Sequence, residues 1–75
     1  MSRWSKELQD NTRENLYPGA LVKDEDHNYG IIEEMETRVI IKGIKPGVFM
    51  PVPSDETIAT FNSVIDMIEA GWVMD

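Results

Sequence analysis

Asp24, Asp26 and Asn28 place oxygen ligands at alternate positions, the way a calcium-binding loop begins. Such a loop also needs a glycine at its sixth position, for the sharp turn, and a bidentate acid at its twelfth. Those positions hold Tyr29 and Met35, with Gly30 one place late and Glu34 and Glu36 on either side of the methionine. Each mismatch removes a physical requirement, so the segment reads as a solvated hairpin loop and no metal site is expected. His27 is the sole histidine, so a two-histidine metal site cannot form within one chain. Its acidic neighbours favour its charged form. Glu33, Glu34 and Glu36 have the types needed for an acid–base pair, but strand alternation puts Glu34 and Glu36 on one face and Glu33 on the other. Nothing beside them supplies a nucleophile, an oxyanion donor or a glycine-rich phosphate loop. They read as charged strand residues that deter sheet-to-sheet association. No catalytic residue and no cofactor is expected, and the chain reads as a non-enzyme.

The elements that would carry these residues follow from periodicity. Trp4, Leu8 and Leu16 make a thin helical stripe in residues 1–17, with Thr12 in the missing place and Ser2 or Ser5 as a cap. This predicts a marginal, loosely attached N-terminal arm or short helix that needs a docking surface. Pro18-Gly19 marks a turn and the start of a single small domain over 18–75. Strands are expected at 20–23, 29–34, 37–42 and 47–52. Gly30 suggests a bulge or bend, and Pro46-Gly47 suits a type II turn. Ile58, Phe61, Ile65, Ile68 and Trp72 are spaced 3-4-3-4. That spacing predicts an amphipathic helix capped by Ser54 and stopped at Gly71, with its apolar face on the sheet or in a helix–helix seam. Trp72-Val73-Met74 can add a short closing strand. The fold class is therefore α+β: a small, mostly antiparallel barrel or curled sheet with a C-terminal amphipathic helix.

Pro-Gly-Ala-Leu-Val at 18–22, Tyr-Gly-Ile-Ile at 29–32 and Arg-Val-Ile-Ile at 38–41 resemble the small SH3-like barrels, over about half the chain. The resemblance implies a barrel and an adaptor-like role, and it identifies no site. The chain departs from the pattern by replacing the usual last strand with a helix. Its small, acidic, cysteine-free character also looks like a bacteriophage accessory protein.

Size and charge narrow the function. Seventy-five residues without cysteine leave a small core that neither disulfides nor zinc can staple, which makes a homo-oligomer a reasonable expectation. The net charge is −7, and residues 51–75 hold five acids and no Lys or Arg. Direct nucleic-acid binding is disfavoured, because such a surface repels phosphates. With no apolar run long enough to span a bilayer and no signal-peptide pattern at Met1-Ser2-Arg3-Trp4, a cytoplasmic location is expected. The leading expectation is a protein-binding module, a small phage or bacterial accessory or regulatory protein. Its contacts would be the apolar residues left exposed once the core is built: Trp4, Leu8, Tyr17, Met67 and Trp72. An acidic rim of Asp55, Glu56, Asp66, Glu69 and Asp75 would steer a basic partner. Alternatives are an acidic inhibitor imitating nucleic acid, built on those same five acids, and a small-ligand-sequestering oligomer.

Overall fold

The computed structural model describes residues 4–45 and 52–75. The expected turn at 44–47 and strand at 47–52 fall mostly outside them. The chain forms a helix α1 (Lys6–Asn15), three strands β1 (Leu21–Lys23), β2 (Tyr29–Glu34) and β3 (Val39–Lys45), then β4 (Val52–Phe61), a short helix α2 (Val64–Glu69) and β5 (Val73–Met74). The strands make one antiparallel sheet in the order β4-β3-β2-β1-β5. The sheet is open, because among the described residues its end strands β4 and β5 do not pair with each other.

Local chemistry sets the turns. Tyr17–Ala20 is a type II turn closed by the Ala20 amide on the Tyr17 carbonyl at 3.0 Å, with Pro18 fixing the first dihedral and Gly19 supplying φ +97°. Between β1 and β2, the Asp24 carboxylate accepts from the amides of Asp26 and Asn28 at 2.9 and 2.8 Å and from the Asn28 side chain at 2.9 Å. Oxygens that resembled metal ligands are thus spent on holding the loop, in which His27 takes a left-handed φ of 66°. Gly30 makes no bulge. A Cβ there would meet Ile41 Cγ2 and come within 2.9 Å of the Lys42 carbonyl oxygen, so glycine serves close strand approach. The β2 irregularity lies after Ile32, where Glu33 is the extra residue.

The predicted C-terminal helix is half strand. Residues 52–61 pair with β3, and the helix is confined to Val64–Glu69, capped by Ser63, whose Oγ accepts from the Asp66 amide at 3.1 Å. Ser54 caps nothing; its hydroxyl accepts from the Glu56 amide within β4 at 3.3 Å. The helical spacing of Ile58 and Phe61 has a strand cause. Opposite Ile41–Lys42, β4 carries one extra residue, Ile58, and this bulge turns the two-residue strand period locally into three. Thr57, Ile58 and Thr60 are β-branched and suit the pleated surface. The stop at Gly71 does occur. The Gly71 amide bonds to Ile68 O at 2.9 Å and the Trp72 amide to Met67 O at 3.1 Å, a Schellman closure with Gly71 at φ +104°.

Cross-strand pairing defines two faces. Val22, Gly30, Ile32, Ile41, Val39 and Phe61 share the inner face, where Leu16, Met67, Ile68 and Trp72 complete the core. Met67 and Trp72, expected at the surface, are therefore core residues, at 0 % and 7 % exposure. Ile65, expected in the buried stripe, is exposed. The helix begins nine residues later than predicted, at a bend set by Asn62-Ser63, so the apolar face follows the position of this cap and not the long register.

The N-terminal arm is not loosely attached. Ser5 caps α1, accepting from the Leu8 amide at 3.1 Å, and the Trp4 indole N–H donates to the Gly71 carbonyl at 2.7 Å. Thr12 is fully buried; its hydroxyl donates to Leu8 O at 2.8 Å and accepts from the Met74 amide at 3.0 Å. A helix thus covers the β5 edge by a side-chain hydrogen bond. Replacing Thr12 by Val keeps the shape but removes the acceptor, and the expected loss is about 1–3 kcal/mol. A lower urea midpoint together with faster exchange of the Met74 amide would report it.

Candidate docking surface

Among the described residues, no helix lies over the centre of the outer face of the sheet. Alternation from the registers Leu21↔Ile31, Lys23↔Tyr29 and Ile31↔Lys42 puts Leu21, Lys23, Tyr29, Ile31, Ile40, Lys42 and Ile44 on this face. Tyr17, Leu21, Tyr29 and Ile44 are 57, 37, 48 and 36 % exposed. Ile31 is 5 % exposed although it is absent from the core cluster, so neighbouring side chains on this face bury it. With Tyr17, Ala20, Leu21 and Met74 it lines a dimple of about 270 Å³ where the outer face meets the margin of the core.

Both lysines of this face are paired, and Glu34, opposite Ile40, adds a further acid to it. Lys23 Nζ lies 3.4 Å from an Asp75 carboxylate oxygen and 5.1 Å from the centroid of the Trp4 ring. Lys42 Nζ lies 3.5 Å from a Glu33 carboxylate oxygen and donates to the Asp55 carbonyl at 3.4 Å. The lysine stems cover apolar surface while their charges stay paired at the margin.

The predicted contact residues do not converge here. Only Tyr17 lies on this face. Trp4 ties α1 to the α2–β5 turn, Leu8 is half-buried on α1, and Met67 and Trp72 are interior. The acids are likewise dispersed: Asp55 and Glu56 belong to β4, Asp66 and Glu69 to α2, and Asp75 follows β5. They form no flank of one long helix. The β4 edge carries Pro53, two register shifts and the exposed Asp55 and Glu56, features that blunt an edge against strand addition.

The exposure of Leu21, Tyr29 and Ile44 on the outer face does have a signal in the sequence. Leu21-Val22, Ile31-Ile32 and Ile40-Ile41 are adjacent apolar pairs in three neighbouring strands. One member of each pair must face away from the core, so an apolar outer face follows.

At the opposite end of β1, burial disfavours the Asp24 carboxylate, but hydrogen bonds from Asn28 and Asp26, with the charge of His27, outweigh this and lower its pKa below 3.8. A depressed folded-state value stabilises above the unfolded pKa and is lost as pH falls through the folded one. The Asp24–Asn28 loop should therefore loosen only in acid below about pH 3.8, seen as loss of the shifted Asn28 amide resonance in an NMR titration. Among the described residues, no group of three acidic, histidine or cysteine side chains is placed to share a metal ion, and no helix is long and apolar enough to cross a membrane.

No protein-family model matches the chain, and no curated protein or solved structure matches it either.

Proposed function

We propose that this chain is a non-enzymatic protein-binding module and that the outer face of its sheet is the docking surface. One observation carries the reading: Tyr17, Leu21, Tyr29 and Ile44 stand exposed on or beside a sheet face whose lysines are already paired. Two tyrosines beside aliphatic residues supply rigid contact area that loses little side-chain entropy on binding. A relationship to the small SH3-like barrels and an accessory role in a phage or bacterium belong to the same proposal. The antiparallel strand order supports the first in part, while the open sheet lacks the closure of a barrel. The alternative of an acidic nucleic-acid mimic has less support, because the five acids at 55, 56, 66, 69 and 75 lie on separate elements.

Affinity capture with the wild type, Tyr29→Asp and an Asp55→Lys/Glu56→Lys double variant tests this reading. Loss of the captured protein with Tyr29→Asp, retention with the lysine variant and little change with salt are expected. A hot-spot tyrosine in such a face should be worth about 2 kcal/mol, roughly 30-fold in affinity. The reverse pattern, with binding lost in the lysine variant and falling steeply with salt, would favour the mimic.

A further inference from the structure

We propose that the outer sheet face takes a short segment of a protein partner that carries a Lys or Arg beside an apolar residue. This rests on the reading of that face as the docking surface and names the chemistry of its occupant.

Charge complementarity carries the choice. The β2 bulge after Ile32 brings Glu33 to the same side of the sheet as Glu34, where strand alternation alone would send it to the other. Glu34 stands opposite Ile40, and a Glu33 carboxylate oxygen lies 3.5 Å from Lys42 Nζ, so both acids serve the outer face. With Glu36 they line a hollow of about 440 Å³ whose apolar wall is Pro18, Met35 and Ile40. Among the described residues, Lys42 is the one cation paired with these three acids. The Thr37 hydroxyl donates to Glu34 at 3.4 Å, and Arg38, on the same turn, does not line the hollow. The surplus of negative charge disfavours an acidic occupant, including a second copy of a chain that carries −7. A long side chain with an apolar stem and a cationic head suits both halves of the lining.

Geometry supplies the neighbouring contact. Tyr17 borders the dimple at Leu21 and Ile31, and Pro18, next in the chain, borders the hollow, so the two adjoin. Along β2, Ile31 and Glu33 are two residues apart, about 7 Å. An apolar anchor and a cation at that separation match positions i and i+2 of an extended segment. The row from Tyr29 to Glu34 is about 17 Å long, the reach of five or six extended residues. Such a row is too small for the ~800 Å² per partner of a standard domain–domain interface. Exposed ion pairs are weak, so the apolar anchors hold the segment and the cation selects it, by up to about fivefold in affinity. A single engaged cation also keeps the salt dependence small.

Selection from a library of random linear peptides on the immobilised protein tests the proposal. On the wild type, a consensus with Lys or Arg two positions from an apolar residue is expected. Glu33→Gln/Glu34→Gln should lose the basic position and keep the apolar one. Asp55→Asn/Glu56→Gln, which changes net charge by the same amount, should keep both, and Tyr29→Asp should lose all binders. Circular dichroism melts of each variant check that the fold is retained. As a test that needs no variant, a selected peptide added to isotope-labelled wild type should shift the amide resonances of Glu33, Glu34 and Ile40 together with those of Leu21 and Tyr29. A neutral or acidic consensus, a basic position lost equally in both charge variants, or shifts that miss Glu33 and Glu34 each overturns the basic segment. So does a wild type that light scattering shows to dimerise through Tyr29, and so does a library that yields no binder. Neutral peptides abolished by Tyr29→Asp leave the docking surface standing without the cation, whereas binders indifferent to Tyr29→Asp overturn the docking surface itself.

Discussion

Removing residues 1–16 is expected to leave a chain that does not fold, not a smaller version of the domain. The arm contributes Leu16 to the inner core, the Thr12 hydroxyl to the Met74 amide and the Trp4 indole to the Gly71 carbonyl. Loss of Leu16 alone compares with a large-to-small core substitution, about 2–5 kcal/mol. A domain of this size has a total stability of about 4–11 kcal/mol at typical per-residue values. The truncation also uncovers the β5 edge and Val73, which is fully buried in the intact chain. Circular dichroism and a one-dimensional proton spectrum of the truncated chain decide it. Dispersed methyl resonances and a cooperative melt would show that α1 is an accessory and not part of the core.

Met67→Ala and Ile65→Ala should differ sharply although the two positions are only two residues apart in α2. Met67 is fully buried among Val22, Ile32, Ile41 and Trp72 in one apolar cluster, so its truncation should cost about 2–5 kcal/mol. Ile65 is 55 % exposed. Its replacement by a better helix former should change stability by less than about 0.5 kcal/mol. In a domain this small, 1 kcal/mol moves the melting temperature by about 4–8 °C, so thermal melts alone separate the outcomes. Equal losses at both sites would place the helix in the longer register that the 3-4-3-4 spacing implies.

That pair of substitutions marks where the sequence was legible and where it misled. β2, the turn at Pro18-Gly19, Ser5 as one of two possible caps, the stop at Gly71 and the short closing strand could all be read from residue type, because each depends on local chemistry. The segment 52–61 could not be read from spacing. Ile58 and Phe61 lie three apart because a bulge adds a residue to a strand, and a window scanned for helical period cannot tell the two causes apart. Composition offered the correction: Thr57, Ile58 and Thr60 favour strands, and Ser63 with Asp66 three residues on is a helix-start signature. The contact residues failed for a related reason. In a long helix Met67 points away from the stripe; with that helix shortened, the core takes in Met67 together with Trp72, and the apolar surplus moves to the outer face.

The two hydrogen bonds that fasten α1 to the end of the chain span 62 and 67 residues. Both partners, Gly71 and Met74, are synthesised after the strands β1 to β4. During synthesis α1 emerges first, yet its short, weakly apolar stripe gives it little stability alone. The sheet in between, built from hairpin neighbours, can assemble while α1 waits. The helix made before the sheet is thus fixed only after it, and until Gly71 and Met74 are in place the buried position Leu16 stays open to chaperones and to other chains.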